Sequence, residues 1–158
     1  MSELRTNRIV PRDGLASGCY GGIIQVKQVT TDQQVENAFS SETDLLTLSI
    51  TPTRSDSKIL VCVNCCGTGS RGTGTSFSLR IKRGSTRIWA IGNYGGYATG
   101  SGAEAYPSGM YLDSPATTSA VTYTLTGTRT NGSDNCYFNH MNSTCLLYTS
   151  DAADEGHC

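Results

Sequence analysis

The stretch that decides the fold is residues 44–66, DLLTLSITPTRSDSKILVCVNCC. Its first part sets Leu46, Leu48 and Ile50 against Thr47 and Ser49 and breaks at Pro52. That period of two belongs to a strand with one face in a core and the other in water. After the polar turn PTRSDS the pattern resumes, with Ile59, Val61, Val63 and Cys65 against Leu60, Cys62, Asn64 and Cys66. Two alternating runs bounded by Pro, Ser, Thr and Asp read as neighbouring β-strands.

The same grammar extends in both directions. Upstream, IIQVKQV begins a strand at Ile23 with Ile24, Val26 and Gln28 on one side. No Gly or Pro occurs between Gly22 and Pro52, so residues 23–39 could form one long strand or two. Downstream, the Gly-rich GTGSRGTGT leads into SFSLRIK, with Phe77, Leu79 and Ile81 inward and Arg80 and Lys82 outward. The turn RGST, the strand RIWAIG, the long loop NYGGYATGSGAEAYPSG and the short piece MYL follow. DSPATTS is another turn, AVTYTLTGT alternates Val121, Tyr123 and Leu125, and NGSD leads to a last expected strand, NCYFNHM. No stretch holds a helical period. About eight antiparallel strands at roughly 8 to 15 residue spacing predict an all-β chain, an antiparallel β-sandwich of jelly-roll type preceded by an extended N-terminal leader. The expected organisation is a leader over residues 1–22, the sandwich over 23–144 and a tail of different character over 145–158.

Composition agrees. Among 158 residues there are 18 glycines, charged residues make up 16% and the net charge is −1. Such a chain lacks the basic footprint of a nucleic-acid binder. It also lacks the apolar run of roughly 18 to 20 residues that membrane insertion requires. MSELRTNR has no apolar signal-peptide core, so synthesis in a cytoplasm is expected.

Several motifs invite chemistry that their context withholds. Gly67, Gly69 and Gly72 spell G-x-G-x-x-G, but the following TGTSFSLRI is a strand, so no helix N-terminus is available for a pyrophosphate and no cofactor is expected. Cys62-x-x-Cys65-Cys66 occurs once among seven cysteines, and on a strand residues 62 and 65 face opposite ways. Buried or half-buried free thiols are therefore expected, with no metal site. Outside the tail His140 is the one histidine, expected as a satisfied strand residue. Asp113, Asp134 and Glu104 are placed in turns and loops, without an apolar setting to raise a pKa. No catalytic residue is assigned and the chain is read as a non-enzyme.

The leader is polar and Gly-bearing, with Leu4, Ile9, Val10 and Leu15 too sparse for a core of their own. They are the candidate oligomer contacts, buried only if sister chains surround them. NRIVPRDGL followed by GGIIQVKQV, then LSITPTRSDSKILV, LRIKRGSTRI and YLDSPATTSAVTYTL resemble, in that order, tail-fibre or tail-associated proteins of marine phages, over about residues 2 to 142. The cysteine-rich residues 62–66 and Tyr20 depart from that pattern.

The resemblance implies a virion structural protein of the tail, made in the host cytoplasm and assembled as a homotrimer. Its leader would join other tail proteins, and its β-domain would meet a glycan or protein of the host surface. The competing readings are a carbohydrate-binding or adhesin sandwich without a viral role and, less favoured, a depolymerising tail enzyme. Since antiparallel strands each cross the domain once, residues 67–75, 92–109 and 128–134 should share one end. Arg71, Tyr94, Tyr97 and Tyr106 in those segments are the candidate receptor contacts, Tyr for stacking on sugar faces and Arg for anions. One long strand over residues 23–39 would put the leader at the opposite end; two would reverse that.

Residues 145–155, CLLYTSDAADE, resemble the translation of a sequencing-library adapter. On that reading the tail should lack tertiary packing and leave the sheet short of one apolar strand.

Overall fold

The computed structural model describes residues 23–72, 74–95, 103–140 and 145–152, and all of the regular structure in them is β. The strands are β1 (Ile23–Thr31), β2 (Val35–Asn37), β3 (Thr43–Ile50), β4 (Lys58–Asn64), β5 (Thr68–Ser70) and β6 (Ser76–Arg83). They continue as β7 (Thr86–Gly95), β8 (Ala103–Ala105), β9 (Ser108–Asp113), β10 (Val121–Asn131), β11 (Cys136–Phe138) and β12 (Cys145–Ala152).

Eight of these are long and form two four-stranded antiparallel sheets, β1-β12-β4-β9 and β3-β10-β6-β7. Taking the long strands alone in chain order, the first, eighth, third and sixth make one sheet and the second, seventh, fourth and fifth the other. That interleaving of two Greek keys is the jelly roll. Residues 23–39 hold two strands, β1 and β2. Because β2 does not cross the sandwich, Ile23 still lies at the end opposite to it. Ile23 pairs with Ala152 and Asp151 with Ile59, beside the turns after β3 and β9.

The alternation seen in the sequence becomes the core. Leu46, Ile50, Ile59, Val61, Val63, Phe77, Leu79, Ile81, Val121, Tyr123 and Leu125 are buried between the sheets. Trp89 and Tyr111 stack with ring centroids 5.9 Å apart. They join the edge strands β7 and β9. At the turn end the connections are tight. The β6–β7 hairpin turns at Gly84, whose φ of 57° an L side chain adopts reluctantly, and the Gly84 N–H donates to the Thr122 carbonyl at 2.9 Å.

The other end is built differently. Each connection there (β1 to β3, β4 to β6, β7 to β9, β10 to β12) contributes one short strand, and the four form a third sheet, β2-β11-β5-β8, across the top. Asn139, with φ 57°, ends β11 and donates from Nδ2 to the carbonyls of Thr31 and Gln33, both at 3.3 Å. Phe39, φ 41°, brings the chain back into the core, its ring 4.7 Å from that of Phe77. NCYFNHM is therefore a three-residue strand followed by a corner, where the sequence had suggested a full strand.

The expectation that residues beyond 144 stay outside the sheet is corrected. Strand β12 lies in the middle of a sheet, Leu147 in register with Val29 on one side and Val63 on the other. Cys145, Leu147, Thr149 and Asp151 point inward and are fully buried. The physical reason is the alternation: Leu147 on the inner face, Leu146 and Tyr148 on the outer, which suffices to fill an apolar slot. The fit is uneven. Thr149 Oγ1 and Asp151 Oδ1 are buried without a hydrogen-bond partner, although Asp151 Oδ2 accepts from the Thr53 N–H at 3.0 Å. Cys65 and Cys145 meet with sulfurs 2.6 Å apart, and that contact with burial pushes the Cys65 thiol far above its ordinary range.

The two outer faces differ. On β3-β10-β6-β7, Lys82 pairs with Asp44 at 2.8 Å and Arg80 with Glu42 at 3.5 Å, while Ser49 hydrogen-bonds Thr122 at 2.8 Å. On β1-β12-β4-β9 the register aligns Val26, Ser150, Leu60 and Leu112 in one row. Gln28, Tyr148, Cys62 and Met110 make the next, and Thr30, Leu146, Asn64 and Ser108 the third. No charged side chain stands in these rows.

Candidate functional site

The third sheet collects the segments expected to share one end, but as paired strands: β5 lies in residues 67–75, β8 in 92–109, and β5 pairs with both β8 and β11. Residues 128–134 close against them through Asp134, whose Oδ2 accepts from Thr75 Oγ1 at 3.0 Å. Three-residue strands carry too little periodicity to be read from a sequence. The long Gly-rich loops concealed them.

Arg71 follows β5 directly and is the organising cation. Its Nε and Nη2 reach both oxygens of Glu36 at 3.2 and 2.8 Å, a forked pair. The guanidinium carbon stands 5.4 Å from the centre of the Tyr137 ring, and Nη2 lies 3.2 Å from His140 Nε2. The His140 ring tilts against Tyr137 at 4.7 Å. The Arg71 hydrogen bond holds the Glu36 carboxyl below its ordinary value, and Glu36 in turn raises Arg71. Burial pushes the Tyr137 hydroxyl up, with Glu104 adding to it and Arg71 opposing. Tyr106, 60% exposed, stands beside this cluster.

Of the residues singled out from sequence, Arg71 and Tyr106 thus come together. Arg71's fork is occupied by Glu36, so it presents a compensated cation backed by an aromatic ring. Tyr94 lies on β7 with its side chain outside the described residues, as do Tyr97 and the leader positions Leu4, Ile9, Val10 and Leu15. Glu36, Tyr137 and His140 were not predicted as members of the cluster. His140 sits in a corner, its N–H donating to the Gly67 carbonyl at 2.8 Å, which only the folded connection could reveal.

Elsewhere, Asp113 ends β9 and is buried, where a solvated turn was expected. It accepts from Arg83 Nη1 at 2.9 Å and from the Tyr123 hydroxyl at 2.7 Å. Its charge is answered inside the fold, and burial together with Asp113 raises the Tyr123 hydroxyl far above its usual range. A shallow, open depression nearby is lined by Arg83, Pro115 and Val121. With Arg83 committed to Asp113 it offers no converging polar groups. Cys62 is half-buried on the outer face while Cys65 is buried, the opposite-facing arrangement their spacing predicted.

No family model matches the chain and no curated protein matches it. Among solved structures it is similar to infectious bursal disease virus of the Gt strain, with TM-score 0.49 and 11% identity over 86% of this chain and 35% of that one. The crystal structure of the infectious bursal disease virus VP2 subviral particle gives TM-score 0.45 and 12% identity over 81% and 39%. The chain thus spans little more than a third of each. The likeness is one of β-architecture, and nothing about activity or partners rests on it.

Proposed function

We propose that this chain is a virion structural protein, the distal β-domain of a phage tail fibre, acting as a homotrimer that touches the host surface with its third sheet. One observation carries the reading: the domain is polar. The chain enters at Ile23, at the turn end, and all four short strands gather at the other end. A domain tethered through its leader at one end presents the other outward, which is the geometry a fibre tip needs.

At that outward end the side chains suit recognition more than reaction. Tyr106 offers an exposed ring for a sugar face, and the Arg71–Glu36 fork against Tyr137 offers fixed donors and acceptors. The leader, through Leu4, Ile9, Val10 and Leu15, joins sister chains and other tail proteins. The fold does not separate a viral protein from a free-standing adhesin, since jelly rolls serve lectins and capsids alike, and the resemblance in motif order to marine phage tail proteins is what favours the viral reading.

Immunogold electron microscopy tests the placement. Antibody raised against the recombinant full chain should label virion tails at their distal ends. Gold confined to heads, or absent from purified virions, overturns it.

A further inference from the structure

We infer that Cys65 and Cys145 form a disulfide that staples β12 to β4 when the chain meets a low-molecular-weight disulfide such as that of glutathione. In a reducing compartment the two remain thiols.

Register carries the inference. Cys145 opens β12 and stands one step beyond the Leu146–Asn64 pair, which sets it directly across from Cys65 at the end of β4. The Cys65 N–H turns the other way and donates to the Pro107 carbonyl at 2.9 Å, so its backbone bonds run toward β9. Cys65 and Cys145 therefore face each other as a non-hydrogen-bonded pair, the kind that brings opposite Cα atoms to about 4.5 Å and side chains closest. A disulfide spans Cα atoms about 4.4–6.8 Å apart, so the backbone already stands within bonding reach. Both side chains point into the core and are fully buried, with the sulfurs in contact. Among the described cysteines, no other pair has its sulfurs in contact. Position in the sheet decides this chemistry, whatever the origin of the codons for residues 145–155.

The bond forms by two exchanges with glutathione disulfide. One of the two thiols gives up its proton and attacks a glutathione sulfur, breaking that S–S bond and releasing one glutathione thiolate. The second thiol, likewise deprotonated, attacks the cysteine sulfur of the mixed disulfide, forms the Cys65–Cys145 bond and releases the other glutathione thiolate. The released thiolates take up the two protons, so the cysteine pair is oxidised by two electrons and glutathione disulfide is reduced to two thiols. The Cys145 contact and burial keep the Cys65 thiol protonated in the closed sheet, so the first exchange takes place while that end of β12 is open.

The staple joins residues 80 apart in the chain and so closes a long loop in the unfolded ensemble, where a cross-link acts most strongly. It also ties a central strand of one sheet covalently to its neighbour.

Refolding the full-length chain from urea in an oxidising glutathione buffer tests this, because the oxidant then reaches both thiols before they are buried. After acid quenching, peptide mapping without reductant should find Cys65 joined to Cys145 in most molecules. The thermal midpoint should lie about 10 °C above that of the same chain refolded with excess dithiothreitol. Cys145→Ala should lose the cross-link and make the midpoint insensitive to the buffer. The inference is overturned if both thiols remain alkylatable, if they carry glutathione without closing, or if Cys65 is joined to another cysteine. The wild-type map decides this even where the alanine variant does not fold.

Discussion

Replacing Leu147 by alanine tests whether β12 occupies the slot between β1 and β4. Leu147 is fully buried, in register between Val29 and Val63, and it belongs to the core. A buried Leu→Ala change costs about 2–5 kcal/mol, the transfer free energy of the lost carbons plus that of the cavity. Neighbouring strands on both sides resist collapse into the void, so the upper half of that range is expected. For a chain of 158 residues each kcal/mol moves the midpoint by about 2–4 °C, so Leu147→Ala should lower it by about 7–20 °C. The companion Leu146→Ala faces outward and should cost about 1 kcal/mol or less. Urea unfolding followed by Trp89 fluorescence, with thermal melts, measures both. A slip of one residue would exchange the two effects, because register decides which face a side chain takes. If Leu147→Ala stays within about 0.5 kcal/mol of the parent, an ordinary surface effect, β12 is not in the sheet and the sandwich has an open slot.

Further outcomes follow from particular atoms. Thr149→Val removes a buried hydroxyl without a partner while keeping the shape, so urea unfolding should show stabilisation of about 1–2 kcal/mol, and a loss would mean that the hydroxyl is bonded. Glu36 has its folded pKa depressed by Arg71, so the contribution of this pair is present above the ordinary carboxylate value and fades as pH falls through the lower folded one. In Arg71→Ala a carbon-detected NMR titration should find Glu36 back near its ordinary value, and an unmoved titration refutes the fork. Gly84→Ala, at φ 57°, should destabilise by about 1–2 kcal/mol in the same unfolding assay and Gly84→Asn by less, the signature of a left-handed turn position.

What the sequence disclosed and what it withheld divide along a physical line. Long strands with one buried face are legible because alternation persists for seven or more residues, as in β3, β4, β6 and β10. The turn at RGST was legible for the same local reason, a glycine where φ must be positive. The third sheet was not, since three residues such as Thr68–Ser70 carry no period and owe their strand conformation to partners distant in the chain. Arg71 and Tyr106 were found through their chemistry, whereas Glu36 and His140 joined them only through pairings across β2, β5 and β11. Residues 145–152 were set apart for their likeness to an adapter, which says nothing of packing: Leu147 fills the slot, and Thr149 and Asp151, in register with Val61 and Ile59, enter it with polar atoms left over.

The position of β1 has a consequence for how the chain matures on the ribosome. Its ladder partner is β12, which is synthesised after every other described strand, whereas β4 can meet β9 and β3 can meet β10 earlier. During translation β1 therefore waits unpaired, with Val26 and Val29 on its two faces, until nearly the whole domain has emerged. Pairings so distant along the chain form slowly, and a strand left waiting is open to the β12 of a neighbouring nascent chain. Polysomes crowd such chains together, so strand exchange during synthesis competes directly with correct closure, and slower elongation over residues 121–152 would favour exchange.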